Sequence, residues 1–123
     1  MSEVLKSVLL VQATRGARQG TAALLKGTAE RIREAEDGFD ALCQLARERP
    51  QLVVMDFHLP RLGGFQTCAL LRNSTLFAGI RIILLGDSDN LVDRTRAELA
   101  GADAYLVKPY RREELLGLLE DSR

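Results

Sequence analysis

The sequence predicts a three-layer α/β fold, a parallel five-stranded sheet covered by helices on both faces. Three observations carry this expectation. Short apolar runs, almost free of polar residues, recur along the 123-residue chain, as strands buried on both faces require. Stretches of helical period separate them. Turn-forming residues stand at the junctions, namely Asp37-Gly38, Pro50, Pro60, Gly63-Gly64, Gly79, Gly101 and Pro109. Strands that alternate strictly with helices imply βαβ units and hence a parallel sheet.

Taken in order, Ser7 to Val11 is the first strand, and a helical pattern runs from Arg15 to Ala29. Arg31 to Ala35 alternates polar with apolar residues, as an edge strand does. A second helix is predicted from Phe39 to Glu48, a third strand from Leu52 to Met55 and a third helix from Phe65 to Asn73. Arg81 to Leu85 is the fourth strand. The helix from Leu91 to Leu99 stops at Gly101, a residue that adopts positive φ at little cost. Ala104 to Val107 is the short fifth strand. Arg112 to Asp121 closes the chain as a helix, with Leu115, Leu116 and Leu119 on one face. Right-handed crossovers leave few topologies at this length. The usual one is the flavodoxin-like (βα)5 order 2-1-3-4-5. Its crevice lies outside the carboxyl ends of the strands, near the switch point between strands 1 and 3. That rule selects Gln12 to Thr14, Asp56 to His58, Gly86 to Ser88 and Lys108-Pro109.

Composition narrows the function classes. The length fits one domain spanning residues 1–123. Seventeen basic residues balance 17 acidic ones, so the basic excess of a charge-driven nucleic-acid or membrane-surface binder is missing. No apolar run approaches the roughly 18 residues of a membrane span, and the first residues lack a signal-peptide core. Neither nucleic acid nor membrane is expected as a partner. Cys43 and Cys68 have no metal-ligand spacing and sit among apolar helical residues. They read as reduced, buried small hydrophobes of a cytoplasmic protein.

At the crevice, Asp56 ends an apolar strand, where a fully buried carboxylate is costly. It is therefore expected to project into the crevice. Lys108 takes the equivalent place on the fifth strand. From the residues alone, their convergence reads equally as a structural ion pair or as a functional pair.

Val54-Met55-Asp56-Phe57-His58-Leu59-Pro60, then Gly64, then Tyr105-Leu106-Val107-Lys108-Pro109-Tyr110 resemble a response-regulator receiver domain. The likeness runs through nearly the whole chain and includes Ala35-Glu36-Asp37-Gly38-Phe39-Asp40-Ala41-Leu42. Pro60-Arg61-Leu62, Gly64 to Leu70 and Glu113-Glu114-Leu115-Leu116-Gly117 resemble in particular the stand-alone receivers of type IV pilus twitching motility. The resemblance implies that Asp56 is the phosphoacceptor position, charged by a histidine kinase. It implies that Lys108 is the lysine that contacts phosphoryl oxygens, and that two acids after strand 1 would hold Mg²⁺ together with Asp56.

The match is partial. The acidic pair falls on Gln12 and Ala13, and the usual Ser or Thr after strand 4 falls on Gly86. The next position, normally small, is Asp87, and the usual acid before Gly64 is Gly63. Mg²⁺ is hard and octahedral and needs carboxylates, so one Asp is a poor site. No cofactor is expected and Mg²⁺ binding should be weak or absent. Phosphoryl transfer relies on charge neutralisation and positioning. One close charge pair near a surface is worth about 4 kcal/mol, and each ~1.4 kcal/mol is tenfold in rate. These losses should slow phosphorylation by several orders of magnitude.

Asp87 has two readings. One is a solvated loop acid, helped by Ser88, Asp89 and the next helix N-terminus. The other is a fixed negative charge that reaches Lys108 where a phosphoryl group would sit. His58 reads as a polar rim residue, since a metal ligand needs companions. Arg15 reads as a solvated first-turn residue, with partial replacement of the missing cation as the alternative. Tyr105 matches the aromatic that swings on activation in receivers, but Gly86 has no hydroxyl to pull its loop, so Tyr105 is expected to be static.

The leading expectation is an atypical receiver without enzymatic activity, acting as a protein-interaction module. Its output face would be helix 4, strand 5 and helix 5, with Arg94, Arg96, Tyr105, Tyr110 and Arg111. The partner would be a histidine kinase, a pilus regulator or a chemotaxis-like regulator, and the same face could pair two copies of the chain. The second reading is a functional phosphoacceptor phosphorylated on Asp56. A nucleotide-binding enzyme on the same fold is the third. Gln12-Ala13-Thr14-Arg15-Gly16-Ala17 lacks a phosphate-binding loop signature, and His58 is the one histidine available for a catalytic set.

Overall fold

A computed structural model describes residues 4–120. Strands β1 (Leu5–Val11), β2 (Ala29–Ala35), β3 (Leu52–Asp56), β4 (Arg81–Gly86) and β5 (Ala104–Val107) alternate with five helices. These are α1 (Arg15–Leu24), α2 (Gly38–Arg47), α3 (Gly64–Arg72), α4 (Leu91–Leu99) and α5 (Arg112–Glu120). The strands pair in parallel in the order β2-β1-β3-β4-β5. This is the predicted α/β flavodoxin-like arrangement.

Successive strand residues point to opposite faces, and both faces are covered. Leu9, Val11, Val53, Met55, Ile82 and Leu84 pack with Ala41, Leu45, Cys68, Leu71 and Ala97 of α2, α3 and α4. Val8, Leu10, Val54, Ile83 and Leu85 pack on the other side with Leu25 and Leu115. Double burial is why the apolar runs are continuous. All residues of β3 are buried, Asp56 included. β2 alternates because it is an edge strand, with a half-exposed pattern along most of its length.

Two expectations are corrected. The first helix ends at Leu24 and does not reach Ala29. The chain turns through Gly27 at φ 85°, and Ala29 opens β2 opposite Leu5. A short turn between two amphipathic elements had merged them into one pattern. Cys68 is buried, but Cys43 is exposed. The buried residues of α2 include Ala41 and Leu45, and Cys43, two residues from each, falls on the opposite side of the helix. Burial pushes the Cys68 thiol up to about 11, which leaves it unreactive. Gly101 has φ 91° as expected, and a Cβ there would meet Arg72 Cγ at 2.5 Å.

Asp37 caps α2 and accepts from the Asp40 amide at 2.7 Å. It also pairs with Arg61, a residue at φ 64° in the loop after Pro60. The Asp40 amide and Arg61 hold its carboxyl below the usual pKa of 3.8 despite burial. A lowered folded pKa stabilises above that value, and the contribution is lost as pH falls through the folded pKa. Asp37→Ala is therefore expected to cost about 1–2 kcal/mol at neutral pH, read as a lower urea midpoint. The difference from the unchanged chain should shrink in acid.

Candidate functional site

The carboxyl ends of β1, β3, β4 and β5 converge on Asp56, the last residue of β3. Its carboxylate faces donors. Lys108, just past β5, donates from Nζ to Asp56 Oδ1 at 3.2 Å. Gln12, just past β1, donates from Nε2 to the same oxygen at 3.3 Å. The Lys108 ammonium also lies 3.5 Å from Asp87 Oδ1, so one cation sits between two carboxylates. The backbone fixes this placement. Lys108 N donates to Gly86 O at 2.8 Å and Gln12 N to Ala35 O at 3.1 Å, while Arg18 holds the Gln12 carbonyl at 2.8 Å.

Burial and charge act unequally on the pair. Asp56 is 7% exposed, and burial raises its pKa above 3.8, with Lys108 and Gln12 offsetting only part of the effect. Burial opposes the Lys108 charge too, but Asp56 and Asp87 outweigh it and raise the lysine pKa. Lys108 therefore stays an ammonium ion at neutral pH. A carboxyl with a raised folded pKa costs stability once ionised, and the cost is relieved as pH falls through that pKa. Asp56→Asn is expected to raise the urea midpoint at neutral pH. The gain should fade as pH falls through the raised folded pKa and be gone well below 3.8, where the carboxyl is protonated in both the folded and the unfolded state.

These groups fit a divalent cation poorly. Among the described residues, no group of three or more His, Cys, Asp and Glu is placed to hold a metal ion. The Asp56 oxygen nearest its neighbours already faces an ammonium and an amide NH₂. Gln12 Oε1, buried and without a hydrogen-bond partner among the described residues, is an uncharged oxygen. Mg²⁺ favours carboxylates and near-ideal octahedral geometry.

Gly86 matters through the space it leaves. The Tyr105 ring occupies that space, and a Cβ on Gly86 would lie 1.8 Å from the Tyr105 hydroxyl oxygen. That hydroxyl donates to the Ser88 carbonyl at 2.7 Å. Phe57 meets the ring edge-on with centroids 5.7 Å apart, and the Arg94 guanidinium lies 5.5 Å from the ring centre. Burial and the nearby Asp93 raise the Tyr105 pKa, so the hydroxyl remains a donor at neutral pH.

The other predicted residues are only partly gathered. His58 is exposed at the rim, its ring 4.9 Å from Phe57. Ala13 and Arg15 are exposed. Arg94 pairs with Asp89 beside Tyr105, but Arg96 turns towards Phe65 of α3. Tyr110 packs with the core cluster on the α5 side of the sheet, whereas Tyr105 packs on the α4 side. Arg111 is exposed and pairs with Glu114. Sequence reasoning missed the Gln12 amide as a donor to Asp56 and the Ser88 carbonyl as the acceptor for Tyr105. Neither contact leaves a residue-type signal.

The profile of the response regulator receiver domain matches residues 8–120. The chain belongs to the response-regulator receiver family. This receiver is 37% identical to Protein PilG of Pseudomonas aeruginosa over 113 residues, 92% of this chain and 84% of PilG. It is 36% identical to response regulator MprA of Mycobacterium leprae and spans 47% of that protein's length. Among solved structures, the receiver domain of sensor histidine kinase PA1611 from Pseudomonas aeruginosa superposes with a TM-score of 0.84. It is 28% identical, with 95% of this chain and 96% of that one covered, and it carries a magnesium ion coordinated in its active site cleft. Receivers are signalling modules of two-component systems. No helix among the described residues is long and apolar enough to cross a membrane.

Proposed function

We propose that this receiver is an atypical, non-enzymatic protein-interaction module whose output does not depend on Mg²⁺-assisted phosphorylation. One observation carries the reading: the Lys108 ammonium is already held between Asp56 and Asp87, at 3.2 and 3.5 Å. In this reading Asp87 supplies the negative charge that a phosphoryl group on Asp56 would bring. Gly86 leaves the space in which Tyr105 rests against Ser88 and Arg94, so the β5 edge between α4 and α5 keeps one shape.

The partner would be a histidine kinase or a pilus or chemotaxis-like regulator in the cytoplasm. A second copy of the chain at the α4–β5–α5 face is the homomeric alternative. A place in type IV pilus twitching motility is supported by the sequence resemblance and by the similarity to Protein PilG. The retained contact of Asp56 with Lys108 favours one second reading, a working phosphoacceptor with a reduced metal site.

Mg²⁺ titration followed by amide NMR shifts tests the proposal. The expected result is no saturating shift at Asp56, Phe57 or Gln12 with millimolar Mg²⁺. Saturation in the submillimolar range would overturn it.

A further inference from the structure

Helix α2 is apolar on its solvent side as well as on its core side. Gly38, Ala41 and Leu45 are buried, Leu42 packs beside them, and the helix rests on β1, β2 and α3. Phe39, Cys43 and Ala46, spaced i, i+4 and i+7, run along the opposite side. All three are exposed, Phe39 by 56%. Arg47 is exposed beside them and Asp40 is half-buried. Asp40 accepts from the Glu36 amide at 3.1 Å. Among the described residues, neither Asp40 nor Arg47 takes part in an ion pair.

The arrangement of these side chains is self-complementary. At about 3.6 residues per turn, Phe39 and Ala46 fall on one flank of Cys43, and Asp40 and Arg47 fall on the other. A two-fold axis beside Cys43, perpendicular to the helix, sets an identical helix antiparallel and keeps each flank opposite its own counterpart. Phe39 then meets Ala46 of the second copy, a large side chain against a small one. Asp40 meets Arg47 of the second copy, an acid against a base. Each contact occurs twice, as a two-fold interface requires, and the Cys43 side chains face each other at the axis. We propose that two copies of this chain pair through α2, antiparallel about Cys43. Charge identifies the occupant, because the face carries both the acid and the base that its own image needs. One helix face is small against the roughly 20–30 residues a side of stable interfaces, so the pair is weak and exchanges with the monomer. The face is distinct from α4–β5–α5 and from the Asp56 crevice, and its pairing stands or falls independently of the function proposed above.

The test follows the ¹⁵N-labelled native chain over a concentration series into the millimolar range. Concentration-dependent amide shifts are expected from Phe39 to Arg47 and not along α4 or β5. Packed helices run about 8–10 Å apart, which brings facing Cα atoms within the roughly 7 Å that a disulfide spans. Mild oxidation with diamide should therefore link Cys43 to Cys43 of the second copy, read by peptide mass, while Cys68 stays reduced in the core. Arg47→Asp sets like charges together and should weaken the pair at least tenfold. Adding Asp40→Arg exchanges the signs and should restore the affinity to within severalfold of the native chain. Phe39→Ala, at an exposed position, should weaken it severalfold. A monomer throughout the series, shifts confined to another surface, or failure of the charge exchange to rescue a folded double variant would each overturn the proposal. So would undiminished pairing of Phe39→Ala, whatever the fold of the charge-exchanged chain.

Discussion

Introducing the missing acids, as Gln12→Asp with Ala13→Asp, is expected to speed phosphoryl transfer from acetyl phosphate to Asp56 in Mg²⁺ by at least two orders of magnitude. The native crevice sets one carboxylate against an ammonium and an amide. The double variant turns the amide donor into a carboxylate and adds a second beside it, which gives Mg²⁺ a charged site. A close charge pair near a surface is worth about 4 kcal/mol, and ~1.4 kcal/mol is a factor of ten in rate. A conservative share of that energy already gives the stated gain. Without Mg²⁺ the variant should be less stable than the native chain, because carboxylates at residues 12 and 13 would crowd the Asp56 carboxylate with little compensation from Lys108. Intact-mass time courses and thermal melts with and without Mg²⁺ measure both effects. An unchanged rate would mean that something other than the metal site limits the reaction.

Gly86→Ser should displace Tyr105. A Cβ at residue 86 would stand 1.8 Å from the tyrosine oxygen and 2.2 Å from Cζ, too close for a small adjustment. Either the ring leaves, losing the Ser88 hydrogen bond and its contacts with Phe57 and Arg94, or the strand end is strained. Overpacking of this kind costs about 1–3 kcal/mol. The chain has two tyrosines, so 3-fluorotyrosine labelling gives a simple ¹⁹F spectrum. The Tyr105 resonance should move in the serine variant and that of Tyr110, on the other side of the sheet, should not. In a Tyr105→Ala background the cost of Gly86→Ser should largely vanish, a coupling that a double-mutant cycle reads directly. Additive costs would show that the two positions do not compete for space.

The sheet was legible because burial on both faces leaves runs such as Leu52 to Met55 without polar interruption. β2 showed itself as an edge by alternating, and Gly101 marked a stop that only a residue tolerant of positive φ makes cheaply. The end of α1 was misplaced because the turn through Gly27 is short, and Ala22, Leu25 and Ala29 keep a helical spacing of three and four residues across it. Cys43 misled because apolar neighbours in sequence are not neighbours on a helix surface. At the crevice, residue types identified Asp56 and Lys108, and the strand order explains why they meet. The sequence showed that Gly86 lacks a hydroxyl, but the larger consequence, room for Tyr105, depends on a neighbour from another strand.

The account turns on whether the crevice still performs receiver chemistry. Treatment with acetyl phosphate, with and without Mg²⁺, followed by peptide mass spectrometry at Asp56, asks this directly. The account predicts no Mg²⁺-dependent phosphoryl group on Asp56 over the time in which the Gln12→Asp, Ala13→Asp variant is modified. Rapid, Mg²⁺-dependent modification of the native chain, abolished by Asp56→Asn, would contradict it.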